Sequence, residues 1–154
     1  MPDLFTYYEG ELKDFIAEAL ATKDKLLKRV ISTASEALIS DLQDMGITID
    51  DTWCHTLDNS AVRHTIKSHG CPKEVLRGQI PITDEDLMRI PEIVASYEAL
   101  STEKNKRGQD VIIYTKTMED GVTFYVEEIR LGRRELAAST MYKRKKDDSP
   151  TLID

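Results

Sequence analysis

The strongest constraint on the fold is a change in hydrophobic period along the chain. From residue 12 to residue 45 the apolar residues recur at the spacing of an amphipathic helix. Residues 111–116 and 122–129 are instead rich in β-branched and aromatic side chains, and the Asp120-Gly121 pair between them is typical of a hairpin turn. Helices that come first and an antiparallel meander that comes last predict an α+β fold.

The individual elements follow from these patterns. The N-terminal third predicts two helices, broken near residues 22–24 and ended at Gly46. Besides the hairpin, we expect strands at residues 52–57, near Tyr97 and at residues 136–143. The predicted architecture is therefore a set of N-terminal helices packed on a roughly four-stranded antiparallel sheet.

The chain divides into three segments by composition. We expect an N-terminal helical segment at residues 1–46, an α+β domain at residues 47–146 and a disordered tail at residues 147–154. The sequence shows neither a signal peptide nor an apolar run long enough to span a membrane, so we expect a cytoplasmic protein. Cys54 and Cys71 are then expected to be reduced thiols.

Two of the three histidines lie on one short predicted helix. Asp58 or Asn59 is suited to cap its start, and Gly70 to end it. At about 100° per residue, His69 shares the core-facing side and His64 points nearly opposite, so they cannot have the same role. The helix dipole favours a protonated histidine at the C-terminus, which makes His69 a candidate general acid. The alternative is a partly buried core histidine and a solvated one.

The net charge of −7 is unevenly distributed. Residues 1–59 carry 5 Lys/Arg and 12 Asp/Glu, whereas residues 60–146 carry 16 and 13. The cations of the second part fall into groups that suit phosphate contacts, although such groups are also common in solvated loops: residues 104–107, 130–134 and 143–146. The acidic first part would instead repel a nucleic acid.

The strand over residues 122–129 alternates between two kinds of side chain. One predicted face is apolar, with Val122, Phe124 and Val126, and the other is polar, with Thr123, Tyr125 and Glu127. We expect the polar face to be an accessible working surface near the histidine helix.

Four segments, taken in order, resemble a known family. They are Asp58-Asn59-Ser60-Ala61-Val62-Arg63-His64 with His69-Gly70, Ile82-Thr83-Asp84-Glu85-Asp86 with Ile90-Pro91-Glu92-Ile93, Tyr125-Val126-Glu127-Glu128, and Leu136 with Ser139-Thr140-Met141-Tyr142-Lys143. This order is similar to that of the phage-borne nuclease domains of the Barnase/EndoU/colicin/RelE-like superfamily, often C-terminal modules of MuF-type head-morphogenesis or polyvalent proteins. The resemblance covers about residues 52–146.

The resemblance implies a small ribonuclease, a toxin or effector of a phage or prophage, that cuts RNA without a metal or cofactor through attack of the 2'-hydroxyl. Acid-base catalysis and phosphate stabilisation need histidines, hydroxyls and cations, which the chain supplies. The implied catalytic residues are His69, His64, Thr140 and Tyr142. The implied substrate-binding residues are Arg63, Lys67, Lys116, Tyr125, Glu127 and Lys143.

The implied partners are RNA and either a phage structural protein or a cognate immunity protein, with no membrane. Two other interpretations stay open. One is a zinc site drawn from Cys54, His55, His64, His69 and Cys71, although no Cys-x2-Cys pair is present. The other is a catalytically inactive phage accessory module whose basic strands bind an acidic protein.

Overall fold

The computed structural model describes residues 5–146, which form one sheet with helices against both faces. Within this range the sheet has eight strands: β1 (Phe5–Tyr7), β2 (Leu26–Thr33), β3 (Cys54–Asp58), β4 (Gln79–Ile80), β5 (Ala99–Lys104), β6 (Asp110–Thr117), β7 (Val122–Arg130) and β8 (Glu135–Arg144). The same range contains five α-helices: α1 (Leu12–Ala21), α2 (Glu36–Asp44), α3 (Asn59–His69), α4 (Asp84–Leu87) and α5 (Ile90–Ser96). The tail predicted to be disordered, residues 147–154, lies outside the described residues.

The sheet is mixed rather than antiparallel. Its strand order is β1-β2-β3-β8-β7-β6-β5, and β4 pairs with the end of β8. The β1–β2 and β3–β8 pairs are parallel and the others antiparallel. The α+β class is confirmed, but the predicted four-stranded antiparallel sheet is wrong. Parallel neighbours are joined by long crossovers, which leave no local turn signal in the sequence.

Part of the predicted second helix is strand β2. Helical spacing would bury Leu26 and Val30, whereas the structure buries Leu27 and Lys28 and leaves Val30 42% exposed. The β-branched residues at the end of this segment favour a strand, and antiparallel pairing with β3 holds it there. Because β2 pairs with β3, one sheet crosses the predicted boundary between residues 46 and 47.

The predicted hairpin and the predicted histidine helix are both confirmed. Strands β6 and β7 pair from Thr117 with Val122 at the turn to Val111 with Glu128 at the far end. Helix α3 follows the cap Asp58 and ends at Gly70. Both predictions depend on local signals, a turn dipeptide and a pair of caps. These act on the neighbouring backbone and need no contact with distant parts of the chain.

Strand pairing separates the central side chains onto two faces. Phe124 pairs with Tyr142 and Val126 pairs with Thr140, so these four share one face. We call it the α3 face, because His69 of α3 lies against Tyr142 with ring centroids 5.8 Å apart. The opposite face, which we call the α5 face, carries the alternate side chains, among them Tyr114, Tyr125 and Glu127.

The side chains of β7 divide between two faces as predicted, but the prediction that the polar face is accessible is wrong. Tyr125 and Glu127 are 1% and 0% exposed on the α5 face, and Phe124 is only half-buried on the α3 face. Tyr97, which follows α5, packs edge-on against Tyr114 of β6 with ring centroids 5.6 Å apart. Helix α5 therefore covers the face that looks polar in sequence, and the face that looks apolar remains partly open.

Candidate functional site

The caps of α3 fix the position of both of its histidines. The Asp58 carboxylate accepts a hydrogen bond from the Ala61 amide at 2.7 Å, which starts the helix. At the other end, a Cβ on Gly70 would lie 2.5 Å from the Ile66 carbonyl oxygen and 2.9 Å from that of Ile82. Only glycine fits this approach, so the chain leaves the helix directly after His69.

His69 forms a pair with a buried carboxylate. Its Nδ1 lies 3.1 Å from Oε1 of Glu74, which comes from the 3-10 helix Pro72–Arg77 and is fully buried. The His69 side chain keeps 21% of its surface exposed. A carboxylate on Nδ1 fixes the ring orientation and the tautomer, which leaves Nε2 for proton exchange with a ligand.

An aromatic surface lies beside this pair on the α3 face. Tyr142 lies beside the His69 ring and stacks on Phe124, with the centroids of Tyr142 and Phe124 5.0 Å apart and their planes 13° apart. The Arg144 guanidinium lies 5.4 Å from the Phe124 ring centroid and 5.7 Å from that of Tyr142. The arrangement combines a proton-exchanging group, two stacked rings and a cation on one partly exposed surface.

His64 lies in a separate cleft on the same face. The cleft has a volume of about 370 Å³, and its lining includes His64, Arg107, Glu128, Arg130 and Ser139. Ser139 and Tyr142 are three residues apart on β8, or about 10 Å along a strand. The structure therefore puts His64 near Ser139 and His69 near Tyr142, at two positions along one surface.

The other α3-face candidates have distinct surroundings. Thr140 is half-buried, and its hydroxyl has no hydrogen-bond partner among the described residues. Nε of Arg63 is also buried without a hydrogen-bond partner among the described residues. Lys67, in contrast, is exposed on the outer side of the helix. The roles of these three residues stay predictions, although all of them lie on α3 or on the sheet face beneath it.

Four predicted substrate-binding residues lie on the opposite face. Tyr125 and Glu127 are buried there, so the prediction that they form an accessible surface with Thr140 or Tyr142 is wrong. Lys116 donates to the Ser96 carbonyl oxygen at the end of α5. Lys143 is 2% exposed. Alternation along β7 and β8 places these side chains across the sheet from both helix histidines.

A family model described as phage-Barnase-EndoU-ColicinE5/D-RelE like nuclease 3 matches residues 32–149, well over half of the chain. The chain belongs to this family. The predicted family is thus confirmed, and the match starts near residue 32 rather than near residue 52, so it includes α2 and the end of β2. The searches of curated proteins and of solved structures found no match. A nuclease family implies a nucleic-acid substrate.

Two side chains of this phage nuclease domain were not indicated by the sequence. Glu74 lies five residues after His69 in the 3-10 helix Pro72–Arg77. The sequence of this segment shows no hydrophobic periodicity, and no signal in it points to Glu74. His55 was considered only as a zinc ligand. It shares a strand face with Trp53 and Leu57, which lie two residues before and after it and are both buried, and this pattern indicates a core position. Its Nδ1 lies 2.8 Å from Oε2 of Glu127.

The zinc alternative and the membrane question can be compared with the structure. Among residues 5–146, no group of three or more His, Cys, Asp or Glu side chains is arranged to hold a metal ion. His55 faces Glu127 on the α5 face, across the sheet from the two histidines of α3. No helix in the described range has both the length and the hydropathy of a membrane span.

Lys143 is expected to contribute to stability and not to substrate affinity. Its ammonium lies 2.7 Å from Oδ1 of Asp86 and 2.6 Å from Oδ2 of Asp120. Changing Lys143 to Met would keep the aliphatic stem and remove the shared cation. We expect the free energy of unfolding to fall by about 2 kcal/mol, measured by urea denaturation at pH 7, with nucleic-acid affinity unchanged.

The pH dependence of this loss provides a second check. Hydrogen bonding to Lys143 holds the pKa of Asp120 below its ordinary value. Burial lowers the pKa of Lys143, but hydrogen bonds from its ammonium to Asp120 and Asp86 raise it more. The contribution of Asp120 disappears as pH falls through its lowered pKa, and that of Lys143 as pH rises through its raised pKa. The difference from wild type should be largest between about pH 5 and pH 10.

The exposed neighbour Lys145, changed to Met, is the control. An equal loss of stability in Lys143→Met and Lys145→Met would contradict the prediction.

Proposed function

We propose that the chain is a metal-independent endoribonuclease whose active site lies on the α3 face around His69. The single observation that carries this proposal is the contact of His69 with both buried Glu74 and Tyr142. An imidazole oriented by a carboxylate, with its other nitrogen available, is a common arrangement for general acid-base catalysis. The family supports a nuclease; RNA and the mechanism are our proposal.

The proposed reaction is attack of the ribose 2'-oxygen on the adjacent phosphorus. The 2'-oxygen to phosphorus bond forms, the bond from phosphorus to the 5'-oxygen breaks, and no metal is required. His69 donates a proton from Nε2 to the leaving 5'-oxygen, and the proton of the attacking hydroxyl passes to solvent water. The products are a 2',3'-cyclic phosphate and a 5'-hydroxyl end.

The aromatic surface supports a single-stranded substrate. The rings of Phe124 and Tyr142 offer apolar faces to an unpaired base, and such stacking contributes about 1–3 kcal/mol per base in proteins that bind single strands. Arg144 adds a cation that can contact phosphate or stack on the base. The unbonded hydroxyl of Thr140 and the Tyr142 hydroxyl are proposed to donate to the phosphate oxygens.

The proposed biological role is that of a phage or prophage toxin or effector. It follows from the family, whose members are described as phage nucleases, and from the choice of RNA as substrate. A ribonuclease that damages its own host needs control, so we include a cognate immunity protein among the proposed partners. The first alternative partner is a phage structural protein that carries the domain.

Incubation of the purified chain with bacterial RNA in excess EDTA tests this proposal. We expect cleavage that the chelator does not reduce, with 5'-hydroxyl ends that can be labelled by polynucleotide kinase without prior phosphatase treatment. Cyclic phosphate ends resist phosphatase until acid opens them to a 2'- or 3'-monophosphate, which phosphatase then converts to a diol that periodate oxidises. The same RNA with 2'-O-methyl riboses should remain intact, because its attacking hydroxyl is blocked.

The possible contrary results are distinct. Cleavage that stops in EDTA would overturn the metal-independent mechanism, and cleavage of the 2'-O-methyl RNA would overturn attack by the 2'-oxygen. Binding of RNA without any cleavage would contradict the proposed activity and favour the inactive accessory module.

A further inference from the structure

Two basic segments that are distant in sequence meet around one pocket. Lys104 ends β5 and Arg107 lies in the connection to β6, whereas Arg130 ends β7 and Arg133 lies in the connection to β8. The pocket that they line has a volume of about 800 Å³, which is within the range of ligand sites. Tertiary structure thus combines two of the basic groups that the sequence shows separately.

The charges around this pocket do not cancel. Glu128 lies between Arg107 and Arg130, 3.0 Å from a nitrogen of each, and Lys104 pairs with Asp110 at 2.8 Å. Arg133 has no carboxylate partner among the described residues, and its guanidinium lies 5.6 Å from the centroid of the Phe5 ring. The lining contains four cations and two carboxylates, and Glu135, outside the lining, lies 3.4 Å from Arg130. The lining keeps a net positive charge and therefore favours an anion.

Apolar side chains contribute to the same lining. Phe5 and Ile129 are part of it, and Leu131 is 73% exposed at its edge. Phosphate alone would need only the cations, whereas a nucleotide offers phosphate together with an apolar base face. The combination of arginines with an aromatic ring and an exposed leucine therefore fits a nucleotide better than an inorganic anion.

The pocket is continuous with the surface that carries the helix histidines. Its lining shares Arg107, Glu128 and Arg130 with the cleft that contains His64. Helix α3 runs from this cleft to His69, and the nine helical rises from Ser60 to His69 span about 13 Å of helix axis. A strand cleaved at His69 could therefore reach the pocket only with nucleotides beyond those at the scissile bond.

We propose that this pocket, which we call the basic pocket, is a second binding subsite for a nucleotide of the same RNA strand, away from the cleavage position. The inference rests on the proposed function for the statement that the same strand also passes His69. The evidence for the pocket as a binding site is its own charge and lining. It predicts that affinity depends on RNA length, because only a sufficiently long strand occupies both positions at once.

Binding of uncleavable RNA tests the basic pocket separately from catalysis. The probes are fluorescent single-stranded 2'-O-methyl RNAs of about 4 to 16 nucleotides, the range of site sizes known for single-strand binders. Arg133→Glu should weaken binding of the longest probe about tenfold and make the log-log salt slope less steep by about 0.7 or more. Binding of the shortest probe should change less than twofold.

Lys106→Glu is the matched control, because Lys106 is an exposed cation in the same β5–β6 connection but outside the pocket lining. It carries the same charge change and should alter the affinity for the longest probe less than threefold. Thermal unfolding of both variants shows whether either loses its fold; if Arg133→Glu does, Arg133→Gln replaces it, with a smaller loss expected in the same direction.

Each outcome distinguishes the basic pocket from the proposed function. Equal losses for Arg133→Glu and Lys106→Glu, or equal losses for long and short probes, would overturn the pocket while leaving cleavage at His69 untouched. A length-dependent loss confined to Arg133→Glu would support the pocket even if the chain cleaved no RNA. Displacement of the longest probe by polyglutamate of equal charge would overturn the nucleotide assignment in favour of an acidic protein ligand.

Discussion

Replacing His69 by alanine is expected to lower the rate of RNA cleavage in EDTA by a factor of about 10² to 10⁴, because positioned proton transfer contributes that much to catalysis. The fold should remain cooperative, since the His69 side chain is partly exposed and α3 keeps both of its caps. Single-turnover cleavage of a defined RNA measures the effect, and denaturation by urea measures the fold.

Three further variants make this result specific. His69→Gln retains a side-chain donor for Glu74 but cannot exchange a proton at neutral pH, so it should be as inactive as His69→Ala. Glu74→Gln should retain part of the activity, because it weakens control over the orientation and tautomer of the imidazole but does not remove the proton donor. His64→Ala should raise KM more than it lowers kcat. An active His69→Gln variant would show that His69 is a structural residue.

Replacing Glu127 by alanine is expected to lower the free energy of unfolding by about 3–5 kcal/mol, the largest stability effect that we predict. Oε1 of Glu127 accepts from the Tyr114 hydroxyl at 2.5 Å, and Oε2 lies 3.1 Å from the Tyr125 hydroxyl and 2.8 Å from Nδ1 of His55. All four side chains are buried. Burial, followed by the charge of Glu127, raises the pKa of both tyrosines, so they remain protonated donors that lose their acceptor.

Urea denaturation at neutral pH measures this effect, with Glu103→Ala as the control. Glu103 is an exposed glutamate on the edge strand β5, and its loss should change stability by less than about 0.5 kcal/mol. Below its unfolding transition, Glu127→Ala should still cleave RNA, since Glu127 lies across the sheet from His69. A stable variant with reduced RNA affinity would instead restore the substrate-binding role that the sequence predicted.

The separation of the two faces has a consequence for the mechanism. Acid-base catalysis and base stacking are proposed on the α3 face, where His69, Tyr142 and Phe124 meet. Glu127, with the Tyr114 and Tyr125 hydroxyls and Nδ1 of His55 within hydrogen-bond distance, belongs to the α5 face. A buried polar cluster is therefore not by itself a sign of the active site, and exposure decides between the two histidine–carboxylate pairs.

The sequence by itself determined the features that depend on neighbours in the chain. The Asp120-Gly121 turn joined two β-rich segments into the β6–β7 hairpin, and Asp58 with Gly70 defined the limits of α3. Pairs of caps and turn residues act on their own backbone over three or four residues, so no distant partner is needed. The order of motifs also predicted the nuclease family, which the family model confirms.

Only the tertiary structure decided which face of a strand is covered and which cation is available. Alternation along β7 gives two sets of side chains, but the packing of α5 decides that Glu127 is buried and Phe124 is not. Likewise, Lys143 and Arg133 are both cations in basic runs, and only the approach of Asp86 and Asp120 neutralises the first. Burial and charge pairing depend on contacts between residues far apart in the chain, which residue spacing does not encode.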